Sequence, residues 1–100
     1  MADMERLINE FDKDMHQILE KEREIGLCST RFRQMVEQYG GVETAHRLLK
    51  SSDLPPMFKD LRDKGRLDLA MEHYVALEKY QPLFSNDERA IADFRLHKDD

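Results

Sequence analysis

From Asp3 to about Ile25 the chain has neither glycine nor proline, and Met4, Ile8, Phe11, Met15, Ile18, Glu22 and Ile25 recur at alternating spacings of four and three. That period predicts one long amphipathic helix, with Leu7 and Leu19 widening its apolar stripe and Asp3 placed to cap its start. Such a helix spans about 35 Å at 1.5 Å per residue, more than a domain this small needs to cover its own core. Two destinations fit the stripe. Either the helix lies wholly on the core, or an exposed part of it (Leu7, Ile8, Phe11, Met15 and Ile18) protrudes as a homodimer seam or seats in the groove of a partner. Glu22, charged yet on the seam, weakens the second reading toward the helix's C-terminal end.

Gly26 breaks the first helix, and Ser29 or Thr30 is placed to cap a second over Thr30 to Tyr39. Phe32, Met35, Val36 and Tyr39 share one face of it for burial, while Arg31, Arg33, Gln34, Glu37 and Gln38 face away. Gly40 and Gly41 predict a sharp turn into a third helix from Val42, with Val42, Ala45, Leu48 and Leu49 inward. Asp53 ahead of Pro55 and Pro56 predicts a capped short helix reaching about Lys64, its apolar edge formed by Met57, Phe58 and Leu61. Gly65 stops that helix, and Asp68 is placed to cap the next, from Leu69 to Tyr80. Pro82 ends it, Leu83 and Phe84 turn into the core, and Ser85 with Glu88 forms a capping box for a last helix carrying Ala90, Ile91 and Phe94.

No segment alternates with period two, and β-branched residues are scarce. The expectation is an all-α fold, a long N-terminal amphipathic helix followed by four or five short helices in an orthogonal bundle. One domain spans 1–100, with the long helix in 1–26 and a compact bundle in 29–97. At 11.9 kDa the chain buries roughly two-thirds of its unfolded surface, enough for a real core. A 40% hydrophobic and 37% charged composition describes a folded chain with a heavily charged exterior.

Charge and cysteine usage narrow the function classes. The formal charge of −5 points away from nucleic acid, whose phosphates are bound by clustered Lys and Arg. Cys28 is the single cysteine, so neither an internal disulfide nor a thiolate cluster forms within one chain, and a small buried core residue is expected there. Without an apolar run of about 20 residues or a signal-peptide pattern, the expected location is cytoplasmic.

Candidate chemistry is sparse. Arg66 and His73 have the loose spacing of helical endoribonucleases that pair an Arg with a His across a dimer, the His as general acid or base and the Arg on phosphate charge. The bland alternative has Arg66 pairing with Asp68 or Glu72 to lock a turn. His16, His46, His73 and His97 lack ligand spacing, so no metal site and no cofactor are expected. Arg31, Arg33, Arg47 and Lys50 form a basic strip for phosphate contact if helices two and three bring them together.

The order YGGVETAHRLL, then FKDLRDKGRLDLAMEHYVAL, then PLFSNDERAIADFRL resembles a short segment that recurs in uncharacterised prokaryotic proteins, alone and appended to defence- or nuclease-like chains. The matching residues are Gly41, Val42, Glu43, Gly65, Arg66, Leu67, Asp68, Leu69, Glu72, Pro82, Leu83 and Phe84. The chain departs from the pattern around Leu61, Arg62, His73 and Tyr74, where an aromatic is often found. The resemblance implies an accessory helical module and carries over no catalytic residues. The expected function is a small non-catalytic protein–protein interaction module, a prokaryotic or phage accessory or regulatory factor binding a partner protein or itself. The alternatives are an RNA-processing or nucleic-acid-binding module through Arg66 and His73, and an acidic phage-type inhibitor of a nucleic-acid-binding enzyme.

Overall fold

Twenty-three consecutive residues free of helix breakers form α1 (Ala2–Glu24) in the computed structural model, which describes residues 2–51 and 56–97. Asp3 and Glu5 in its first turn and Lys21 and Arg23 in its last complement the helix dipole. Its C-terminus closes as the sequence predicts: Gly26 takes φ 85°, its N–H reaches the Arg23 carbonyl at 3.1 Å, and the Leu27 N–H reaches that of Glu22 at 2.8 Å. This is a Schellman closure, which needs a left-handed residue at the glycine.

Helices α2 (Thr30–Tyr39) and α3 (Gly41–Lys50) follow, then α4 (Pro56–Asp63), α5 (Met71–Val75) and α6 (Asn86–His97). Among the described residues, five short helices thus follow the long one and no strand is present. The predicted Asp53 cap lies outside the described residues. Ser85 and Glu88 form the expected capping box, each main-chain N–H bonded to the other's side chain at 2.9 and 3.1 Å.

The single helix expected over Leu69 to Tyr80 is instead broken into a 3₁₀ turn at Leu67–Leu69, the short α5, and a 3₁₀ segment at Glu78–Leu83 that contains Pro82. Asp68 does not cap α5, because its carboxylate is held by Arg66 at 3.1 and 3.3 Å; the cap position falls to Ala70. Extended backbone at Leu77 then redirects the chain so that Tyr80, Leu83 and Phe84 all reach the core.

That core is centred on Phe11, whose ring meets Tyr80 edge-on at 5.0 Å and Phe84 at 5.1 Å. The Tyr80 hydroxyl donates to the Asp14 carboxylate, which ties the 3₁₀ segment to α1. A second, smaller cluster comprises Phe58, Leu61, Leu69 and Ala70, with Ile25, Leu27 and Leu96 packed against it. The molecule measures 39 × 25 × 20 Å, so α1 runs the length of its longest axis.

This arrangement corrects three expectations and adds the phasing of α6. Phe11, Met15 and Ile18 are at most 1% exposed, so they form the core and no external seam; Leu7 packs against them, and only Met4 and Ile8 remain open, each at 41%. The stripe is used internally because α1 meets α3, α5 and the 3₁₀ segment together. Cys28 is exposed, since it precedes α2 in the connection and does not lie on its inner face. On α6 the buried positions are Ala92 and Arg95, leaving Ile91 and Phe94 outside; the helix is phased by an ion pair made by Arg95 and not by its apolar residues. On α2 only Val36 is fully buried, and Phe32, Met35 and Tyr39 remain partly or largely accessible.

Candidate binding groove

The uncovered face of α2 forms one side of a groove of about 900 Å³ that follows the parting between the two hydrophobic clusters. Phe32, Met35 and Tyr39 line it from α2, and Met57, Phe58 and Leu61 from α4. Leu48 from α3 and Ala70 and Met71 at the start of α5 complete its apolar surface. Three of the chain's six methionines meet here, and their flexible thioether side chains adapt to varied apolar shapes.

Two buried glutamates also line the groove. Glu72 of α5 receives a 2.9 Å hydrogen bond from Arg95, whose other nitrogen donates to the carbonyls of Leu48 at 3.2 Å and Ser51 at 2.8 Å. One guanidinium thereby neutralises a carboxylate and satisfies carbonyls at the negative end of α3. Burial still pushes Glu72 above the ordinary carboxyl range, with the Arg95 hydrogen bond opposing it. Glu22, on the last turn of α1, receives only the Ser29 hydroxyl at 3.0 Å among the described side chains. Burial raises Glu22 too, and the Ser29 bond offsets part of the rise.

The mouth of the groove is polar, with Cys28, Arg31, Gln34, Gln38 and Arg47. Arg47 lies over the Tyr39 ring at 3.9 Å and donates to Glu43 at 3.1 Å, so its charge is shared between an aromatic face and a carboxylate. Of the predicted basic strip, Arg31 and Arg47 come together on the groove, whereas Arg33 and Lys50 do not line it.

Arg66 is held by Asp68 in the turn before α5, and His73 lies within α5. The Arg66 hydrogen bond holds Asp68 below the usual carboxylate range, with a smaller contribution from His73. The guanidinium is therefore occupied in the turn, and the His73 ring packs edge-on against Tyr74 at 5.3 Å. Neither residue lines the groove. The remaining histidines each sit beside one carboxylate, His16 by Asp12, His46 by Glu88 and His97 by Asp93. Among the described residues no three His, Cys, Asp or Glu side chains are grouped to hold a metal ion.

Sequence reasoning placed Phe32, Met35, Tyr39, Met57 and Leu61 on apolar faces and missed that those faces stay partly open toward each other. It passed over Arg95 altogether. The available signal was Glu22, a charge on an otherwise apolar seam.

Comparison of the chain with protein-family models, curated proteins and solved structures returned no match. No helix among the described residues is long and apolar enough to cross a membrane.

Proposed function

We propose that the protein is a non-catalytic interaction module that binds a segment of a partner protein in the groove between α2 and α4. The observation that carries this reading is the groove itself: an apolar, methionine-rich trough of about 900 Å³ with a polar mouth on a chain of 100 residues. Concave apolar surfaces with a few fixed polar groups are the usual receptors for extended or helical peptide segments. Of the two destinations its period allows, the α1 stripe takes the inner one and holds the bundle together from within.

The test is selection of a random peptide display library on the wild-type protein, with a counter-screen on Met35→Glu combined with Met57→Glu. Both methionines are half-buried groove residues, so the double variant is expected to keep the helical circular dichroism of the wild type, which is checked before the counter-screen. Enriched peptides that bind the wild type at least tenfold more tightly than the folded double variant support the reading. Failure to enrich any peptide, or equal binding to both proteins, overturns it.

A further inference from the structure

Two buried carboxylates reach the groove, and they differ in one respect. Glu72 is neutralised by Arg95 at 2.9 Å, whereas Glu22, 3% exposed, has among the described residues only the neutral hydroxyl of Ser29. A carboxylate removed from water without a cation is costly, because a single hydroxyl does not replace its hydration. Native structures pair buried charges, and Glu22 lines an open groove through which a cation could reach it.

We infer that Glu22 is the receptor for one lysine or arginine side chain, presented by the apolar segment of a partner protein that occupies the groove. This inference rests on the groove reading above and names the chemistry that the groove selects. Its walls suit such a side chain: Phe32, Met57 and Phe58 line it with apolar atoms for the methylene stem. The cations already at the mouth leave Glu22 unpaired. Arg47 is engaged by Glu43 and Tyr39, whereas Arg31, exposed on α2 at the mouth, meets an acidic residue flanking the basic one on the incoming segment. The occupant is therefore a mixed-charge segment with a central cation, and charge complementarity excludes a uniformly acidic one.

The probes are N-acetyl-lysine N-methylamide and its neutral counterpart N-acetyl-norleucine N-methylamide, titrated into isotope-labelled protein at low ionic strength and followed through the amide resonances of Leu27, Ser29, Phe58 and Leu61. The wild type is expected to bind the lysine compound at least tenfold more tightly than the norleucine one. Glu22→Gln, which keeps the shape and the Ser29 hydrogen bond, is expected to erase that preference, so that it binds the two compounds equally. A preference that persists in Glu22→Gln reflects the overall negative charge and overturns the inference. Equal binding of both probes by the wild type overturns it too while leaving the groove reading standing. Absence of any shift with either probe removes both.

Discussion

The Asp12 carboxylate of α1 accepts a 2.8 Å hydrogen bond from the main-chain N–H of Gly41, so the first turn of α3 is capped by a side chain 29 residues earlier in the chain. The approach is close enough that a Cβ on Gly41 would lie 2.9 Å from the Met15 Cγ and 3.0 Å from the Asp12 Cα. Gly41 is thus required for space, while its neighbour Gly40 is required for its φ of 83°.

Gly41→Ala is expected to destabilise the fold by about 1–3 kcal/mol, the usual range for forcing a methyl group against backbone. Asp12→Ala, which removes the cap but opens space, is expected to lose about 1 kcal/mol. Urea denaturation of the two variants checks the order; a neutral Gly41→Ala would show that the α1–α3 contact yields.

Phe11→Lys or Ile18→Lys is expected to unfold the protein. Removing a buried Phe side chain alone costs about 3–5 kcal/mol, and these variants add a buried charge to a domain whose total stability is about 5–15 kcal/mol. Ile8→Lys, at 41% exposure, is expected to change stability by less than about 0.5 kcal/mol. Thermal melts followed by circular dichroism separate the cases, and a folded Phe11→Lys protein would contradict the position of that ring.

Arg95→Met is expected to cost about 3–5 kcal/mol, because it leaves Glu72 buried without its cation and frees two carbonyls at the end of α3. Combining it with Glu72→Leu is expected to recover much of the loss, since an apolar pair of similar volume often equals a buried ion pair. The four-membered mutant cycle, read by denaturant midpoints, would reject this account if the two substitutions were additive.

Glu22 gives a pH dependence of opposite sign to ordinary acid denaturation. Its folded pKa lies above the ordinary carboxyl value of 4.5, so the folded state holds the proton more tightly. Its contribution to stability is fully present below 4.5 and is lost as pH rises through the higher folded value. Glu22→Gln is therefore expected to be more stable than wild type at pH 7, with the difference vanishing below pH 4.5. Stability curves that stay parallel across this range would show that Glu22 titrates normally.

Much of the fold was legible because its punctuation is local. Gly26, Gly40, Gly65 and the Ser85–Glu88 box act within a turn of themselves, and the structure places helix ends at each. The break at Leu77 was not legible, since Leu69 to Tyr80 is a good helix by period and the contact that the break allows, Tyr80 on Phe11, lies far away in sequence. Periodicity likewise shows which face of a helix is apolar and not how fully that face is covered. On α1 coverage is nearly complete, on α2 it is partial, and the groove is that difference. Arg95 was invisible for a related reason: its partners, Glu72 and the carbonyls of Leu48 and Ser51, are 23, 47 and 44 residues distant.

The hydrogen bond from Tyr80 to Asp14 joins residues 66 positions apart, and Phe11 finds its two aromatic neighbours in the same late stretch of chain. At ribosomal rates of about 5–20 residues per second, α1 emerges and then waits between about 3 and 13 seconds for the segment that covers it. During that interval its apolar stripe has at most α2 and α3 to cover it, and the aromatic neighbours of Phe11 are missing. Nascent α1 is therefore the part of this molecule most in need of shelter during synthesis, and its aggregation risk is set by translation speed downstream of α3.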